Sequence, residues 1–211
     1  MTPATIAGMC KLSGLDAAAL TDHNTCGNCA AFCQAAEAYG LLALPGMELC
    51  TREEVHIVCV FPDLERAGAF QEEVYRSLGE ARNDPAIFGR QLYLDADDRV
   101  LGEEPRLLAG ATAIGVYEVP ALVERYGGDR SSFSLLSNLG LWDPGLGFSL
   151  AEVSRNCPPD FVSGRRDLRG VPTITGCDAH YLEQISDAGQ VMEVPARSRE
   201  AVLAWLRRGG A

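Results

Sequence analysis

Each of the three histidines in this 211-residue chain lies within three residues of a carboxylate. Asp22 directly precedes His23, Asp178 lies two residues before His180, and His56 follows a pair of glutamates. Neutral imidazoles and carboxylates together supply the nitrogen and hard oxygen ligands that Zn, Mn or Fe dications take. A single histidine is more often an ordinary core or surface residue. As a set, these residues favour a metal site.

The candidate ligands stand where predicted strands end. Asp22 and His23 end a buried run over 16–22, Glu48 ends the next, and Asp178 and His180 end the strand that begins at residue 171. In parallel βα folds, ligands bind at the carboxyl edge of the sheet, because side chains and loops converge there. We therefore expect these side chains and the third histidine to share one cavity.

The apolar pattern predicts an α/β chain with a largely parallel sheet. Helices are predicted at 3–14, 27–39, 64–78, 117–126 and 198–208, and strands at 16–22, 41–49, 54–61, 147–154, 171–180 and 190–195. Residues 80–116 break this alternation and predict an inserted hairpin within a single domain spanning 1–211. The chain starts on a helix, and no strand pattern follows the Gly-Gly at 127–128. A strand is thus expected to be missing at each of two places.

Three cysteines form a C-x-x-C-x-x-x-C pattern, at Cys26, Cys29 and Cys33. A helix N-terminus lowers the pKa of a thiol, so a redox role is one interpretation, and zinc binding is another. Structural zinc sites need a second ligand pair that the sequence lacks. Packing in the core is the favoured interpretation. Eight cysteines without a secretion signal predict reduced thiols and a cytoplasmic location.

The net charge of −11 bears on possible partners. A polyanion is repelled by nucleic acid and by anionic membranes, so we expect non-specific binding to neither. No apolar run approaches the length of about 18 residues that would span a bilayer. An anionic small-molecule substrate would need local cations, which bound metal ions can supply.

Four motifs carry a resemblance to a known family: TDHN (21–24), PGMEL (45–49), EVHIVCVF (54–61) and GCDAHYLE (176–183). With these in this order, the chain resembles the PHP family, the polymerase and histidinol phosphatase superfamily of metal-dependent phosphoesterases. The resemblance implies a distorted (β/α)7 barrel, similar to a TIM barrel, with two or three divalent metals at the carboxyl edge of its strands. It also implies hydrolysis of phosphate esters of a small metabolite or nucleotide.

The resemblance also implies roles for individual residues. Five residues are implied metal ligands: His23, Glu48, His56, Asp178 and His180. Glu48 is implied to bridge two metals, and Asp22 to support His23 from the second shell of the site. Arg130 is a candidate phosphate clamp, since guanidinium groups bind phosphate oxygens in pairs, although an arginine after a Gly-Gly turn is more often a surface residue.

Two family features are missing from the sequence. Family members begin with a strand bearing a His-x-His motif, and they place a strand ending in Ala-His just before the pair found here as Asp129-Arg130. Both absences coincide with the places where no strand is predicted, so we expect a barrel incomplete by two strands. Three functions stay open: a metal-dependent phosphoesterase, a non-catalytic remnant or binding module with an incomplete metal site, and a thiol redox protein.

Overall fold

A mixed α/β arrangement is seen in the computed structural model, which describes residues 1–132, 142–154, 157–158, 160–186 and 191–209, with residues 130–132 and 154 described by their backbone only. The strands are β1 (Ala17–Leu20), β2 (Leu42–Cys50), β3 (His56–Val60), β4 (Leu92–Leu94), β5 (Val100–Glu103), β6 (Asp129–Ser132), β7 (Ala151–Ser154) and β8 (Thr173–Gly176). The α-helices are α1 (Pro3–Leu12), α2 (Cys29–Ala38), α3 (Leu64–Ser77), α4 (Pro85–Phe88), α5 (Val119–Arg125), α6 (Phe161–Gly164) and α7 (Arg199–Arg207).

Six strands form one sheet in the order β1-β2-β3-β6-β7-β8. One face of this sheet packs against helices, and the largest fully buried side chains there include Met47, Leu49 and Ile57 from the strands and Phe32 and Phe70 from α2 and α3. The opposite face lines a cavity. Among the described residues no pairing joins β1 to β8, so the sheet is open at that seam and no closed barrel is found.

Strand β3 runs antiparallel to both of its neighbours, which corrects the expectation of a parallel arrangement at this point. The chain turns back between Thr51 and Val55, where Thr51 N–H donates to the Val55 carbonyl at 2.9 Å and Glu54 takes a positive φ of 59°. A parallel pair needs a crossover of a dozen or more residues, which so short a connection cannot supply. His56, at the start of β3, therefore lies at the carboxyl edge of β2.

The expectation that no strand follows Gly128 is wrong, because β6 occupies that place in the sheet. Asp129 pairs with Val60 and Ser132 pairs with Ala151, so β6 bridges β3 and β7. Its sequence, DRSS, has neither apolar alternation nor β-branched residues, and tertiary pairing overrides this weak local preference.

The strand predicted at 190–195 is also wrong over its described part, since residues 191–194 form no strand. Val191 is exposed, and Pro195 cannot donate to a ladder. The other predicted helices and strands are found, with ends that differ by a few residues. The predicted insertion contains the β4–β5 hairpin, which Asn28 ties to the rest of the protein by bonds to Leu92 O and Leu94 N.

No helix in the described part of the chain combines the length and apolar character needed to cross a membrane. The cytoplasmic location stays a prediction.

Candidate metal centre

Three side chains from β2, β3 and the segment after β1 meet at the carboxyl edge of the sheet. His23, Glu48 and His56 each offer a ligand atom, and these atoms all lie within 4.8 Å of one another. Glu48 stands between the imidazoles, with Oε1 2.8 Å from His56 Nδ1 and Oε2 3.6 Å from His23 Nδ1. The two rings meet edge to face, with centroids 5.0 Å apart. Two nitrogens and a carboxylate form the ligand set that Zn, Mn or Fe takes.

Backbone pairing places these side chains. His23 and Glu48 form a parallel β-bridge just beyond β1, in which Glu48 N–H donates to Asp22 O at 3.1 Å and Asn24 N–H donates to Glu48 O at 2.9 Å. The reversal after β2 then sets His56 opposite Cys50, two residues along β2 from Glu48. Alternate residues of a strand share a face, so Glu48 and His56 both project from the cavity side of the sheet.

Asn24 locks the turn that follows the first histidine. It is fully buried, adopts a left-handed φ of 50°, and accepts a hydrogen bond from Cys50 N at 2.9 Å. Its amide nitrogen donates to the carbonyls of Leu108 and Gly110. Asparagine tolerates this backbone conformation better than most residues, and its side chain joins the turn to the insertion. Asn24 stands in the TDHN motif, but the sequence assigned it no role.

One atom of the cluster indicates that the residues fit a cation. Nδ1 of His23 is buried and has no hydrogen-bond partner in the described part of the chain. Buried polar atoms are nearly always satisfied, and an exception is typical of a site for an ion or water. A divalent cation held between His23 Nδ1 and Glu48 Oε2 would satisfy it, with small side-chain movements.

A cavity of about 560 Å³ opens beside the cluster on the inward face of the sheet. Its walls include His23 and Glu48 from the cluster, and Asp178 and His180 from the loop after β8. Of the five predicted ligands, the structure thus brings three into one tight group and sets the other two along the same cavity, outside that group. Their joint ligation of metals stays a prediction.

The loop pair is more exposed than the cluster. The side chains of His180 and Asp178 are 61% and 37% accessible, against 10% for Glu48. His180 Nδ1 donates to the Asp178 carbonyl at 3.0 Å, which orients the ring. Asp178 itself takes a positive φ of 42°.

Asp22 lines the same cavity but lies outside the tight cluster. Burial raises the pKa of Asp22, against the opposing effects of a hydrogen bond from Asn28 Nδ2 at 3.4 Å and of the neighbouring His23. Its predicted supporting role stays a prediction. So does the phosphate-clamp role of Arg130, whose backbone pairs with Cys59 but whose side chain lies outside the described part of the chain.

Sequence reasoning missed two further carboxylates that face the cavity. Asp129, at the start of β6, and Glu152, on β7, both line it. The signal for Glu152 was a carboxylate two residues after Leu150 in an otherwise apolar strand, where period two places both on one face. Asp129 carried no such signal, since β6 itself was not predicted.

The three cysteines of the C-x-x-C-x-x-x-C pattern pack in the core, as predicted. Cys26, Cys29 and Cys33 are buried, and the thiols of Cys26 and Cys29 both donate to Gly46 O, at 3.2 and 3.3 Å. A hydrogen bond with Cys29 and burial raise the pKa of Cys26, and burial raises that of Cys33 to about 11. A raised pKa disfavours the thiolate that redox chemistry uses.

Neither a known family profile nor a curated protein sequence matches the chain. Solved structures do match. The chain aligns with a candidate metal-dependent phosphoesterase from Bifidobacterium adolescentis at a TM-score of 0.61 and 18% identity, over 100% of this chain and 91% of that one. It aligns with the lesion-specific endonuclease PfuEndoQ from Pyrococcus furiosus at a TM-score of 0.61 and 14% identity, over 98% of this chain and 51% of that one.

A third match is Endonuclease Q in complex with a 27-mer duplex bearing an abasic lesion at its active site, with a TM-score of 0.64 and 14% identity, over 98% of this chain and 52% of that one. The chain thus spans about half the length of Endonuclease Q. At these identities the comparisons establish a shared fold.

The last match corrects the expected partner. The resemblance predicted a small phosphorylated substrate, and the net charge of −11 predicted no non-specific binding to nucleic acid, yet a protein with this fold holds a 27-mer duplex at its active site. The expectation of a small phosphorylated substrate is wrong. Net charge governs long-range, non-specific attraction, whereas cations bound at a site change the local field that a phosphate meets. The phosphoesterase and both endonuclease structures share their fold with this chain.

Proposed function

We propose that this chain is a metal-dependent phosphoesterase that holds a divalent cation between His23, Glu48 and His56. The observation that carries the proposal is the buried His23 Nδ1, which has no hydrogen-bond partner in the described residues and faces a carboxylate shared with a second imidazole. An imidazole nitrogen placed in this way, with a carboxylate beside it, is suited to a cation.

The finer assignment is to a PHP-type enzyme acting as a single unit over residues 1–211. Four sequence motifs support it, together with the fold shared with a candidate metal-dependent phosphoesterase. A TIM-like barrel belongs to this proposal, as do two or three cations of Zn, Mn or Fe, with Asp178 and His180 as ligands beyond the cluster.

His23, Glu48 and His56 would hold a divalent cation, which would supply a nucleophile from water near neutral pH and offset the charge that develops on phosphate oxygens. The residues of the chain supply placement. Glu48, only 7% exposed, keeps both imidazoles at one point, and the bridge between His23 and Glu48 fixes that point at the cavity wall. Asp178 and His180 lie further along the cavity, where they would contact the substrate or a further cation.

The proposed substrate is a phosphodiester of nucleic acid. The fold shared with a lesion-specific endonuclease supports this class, as does a cluster that lies at an open cavity rather than in a closed core. Because the chain carries a net charge of −11, its affinity for nucleic acid should depend on bound cations rather than on a basic surface.

The test is cleavage of a 27-mer duplex with one abasic site, and of bis(p-nitrophenyl) phosphate, by chelator-stripped protein supplied with Mn²⁺ or Zn²⁺. We expect both substrates to be cleaved, and Glu48→Gln to abolish both activities while Glu65→Gln, an exposed change on α3, preserves them. Cleavage of the small diester alone would refute the proposal of a nucleic-acid substrate and support the proposal of a phosphoesterase. No cleavage of either by the metal-loaded protein would refute the enzyme.

One observation favours a second candidate, a binding module without catalysis. In the described part of the chain only three donors form a tight cluster, and the sheet is open between β1 and β8. This candidate predicts cation-dependent retention of the 27-mer duplex without cleavage.

A further inference from the structure

Glu152 lines the same cavity from β7, which lies near the other end of the sheet. It pairs with Ile174 of β8, and Ala151 beside it pairs with Ser132 of β6. Ser132 in turn pairs with Ile57 of β3. Glu152 follows Ala151 and His56 precedes Ile57, and because β7 and β3 run in opposite directions, Glu152 lies level with His56 on the same face of the sheet. The two residues are separated by two strand spacings, about 10 Å in all.

Gly176 leaves the space that the Glu152 carboxylate uses. A Cβ atom built on Gly176 would lie 1.7 Å from Glu152 Oε1 and 2.8 Å from its Cδ. Gly176 is two residues beyond the pairing partner Ile174, so the Glu152 side chain leans along β8 toward the carboxyl edge. Asp178 lies two residues later and lines the same cavity. Any larger residue at 176 would therefore displace this carboxylate.

The position of Glu152 suits a cation. In the strand order of the sheet, β7 lies between the strands that carry the three-residue cluster and β8, whose following loop carries Asp178 and His180. The strand spacing places Glu152 too far from His56 to share the same ion closely, whereas cations in paired sites lie about 4 Å apart. Glu152 is half-buried in this wall, and a bound cation would add to the contacts that its carboxylate makes within the protein.

We propose that Glu152 is a further cation-binding carboxylate of this site, held in place by the absence of a side chain at Gly176. The inference rests on the proposed function, because it takes the cluster to be a metal centre. It adds a residue from β7 to a site otherwise built from β1, β2, β3 and the loop after β8.

The test is isothermal titration calorimetry of the chelator-stripped full chain with Zn²⁺ and with Mn²⁺. We expect Glu152→Gln to weaken binding by about tenfold or to remove one bound equivalent. Gly176→Ala should act in the same direction, because it moves the carboxylate without removing its charge. Gly164→Ala is the matched control, since an added Cβ there meets nothing within 4 Å.

The double variant makes the test specific. If Gly176 acts through Glu152, then Gly176→Ala adds no further weakening in the Glu152→Gln background, whereas independent effects would add. Circular dichroism and thermal melting check that each variant folds, and should Gly176→Ala fail to fold, Glu152→Gln alone decides.

Two failures can be told apart. If the unaltered chain binds cations and Glu48→Gln abolishes binding while Glu152→Gln keeps the original affinity and stoichiometry, the inference is refuted and the proposed function stands. If the unaltered chain binds neither cation, the proposed function is refuted and the inference with it.

Discussion

The two sides of the cavity hold their candidate ligands by different means. On the first side, made by His23, Glu48 and His56, each side chain stands on a strand or in a β-bridge. On the second side, Asp178 and His180 stand on a loop past β8, with more exposed side chains. The first side is preorganised by backbone pairing, and the second depends on local turns and surface contacts. We therefore expect the first to set affinity for a cation and the second to tune it.

The strongest test of this difference is Glu48→Gln. It removes the carboxylate charge that both imidazoles face, so we expect affinity for Zn²⁺ or Mn²⁺ to fall by more than about 100-fold, because changes outside the ligand set already cost about 10- to 100-fold. Calorimetry measures the loss, with Glu65→Gln as control. Affinity within about threefold of the unaltered chain would show that the first side does not hold the ion.

Asn24→Ala tests the preorganisation of the first side. Asn24 satisfies Cys50 N and two carbonyls from a buried position, so its loss should lower the free energy of unfolding by about 2 kcal/mol. Chemical denaturation measures this, and Asn83→Ala, which loses an exposed bond to Gly89 O, is the control. A change no larger than that of the control would mean that this turn is not what holds His23.

Asp178→Asn tests the second side. Because this loop is exposed and lies outside the tight cluster, we expect a loss of about tenfold in cation affinity, smaller than for Glu48→Gln. Titration alongside Glu183→Gln, an exposed change in the same loop, measures it. A loss equal to that of Glu48→Gln would erase the distinction between the two sides.

The smallest expected effect is on the stability of the fold at low pH. A hydrogen bond from Arg165 and one from Trp142 N lower the pKa of Asp167 from 3.8 to about 2. A lowered pKa in the folded state stabilises the fold above the ordinary pKa, and this contribution is lost as pH falls toward 2. Asp167→Asn should therefore lower the melting temperature at pH 7, and the difference should shrink between about pH 4 and pH 2.

Melting curves at several pH values check this, with Asp160→Asn as a control on the same segment. A difference that stays constant down to about pH 2 would show that Asp167 does not stabilise the fold through its charge.

The sequence predicted the parts of the site that depend on strand ends. His23 and Glu48 end buried apolar runs, and such runs place the residues at their ends on the sheet edge. Where His56 lies depends on the reversal of β3, which is a matter of connection length and turn geometry that the apolar pattern does not report.

Other features were beyond the reach of pattern. β6 has a polar sequence and forms because β3 and β7 present free edges on both sides of it. The need for glycine at position 176 follows from the Glu152 carboxylate on the neighbouring strand, which occupies the space that a Cβ would fill. Single-sequence reasoning treats one strand at a time, and these are relations between strands.

An anomalous difference map, recorded at the zinc absorption edge from crystals of the protein grown with Zn²⁺, decides whether His23, Glu48 and His56 hold a metal. We expect a peak about 2.0 to 2.2 Å from a nitrogen of each histidine and from an oxygen of the glutamate. A zinc-loaded crystal with its peaks elsewhere and none between these three residues would contradict the metal centre.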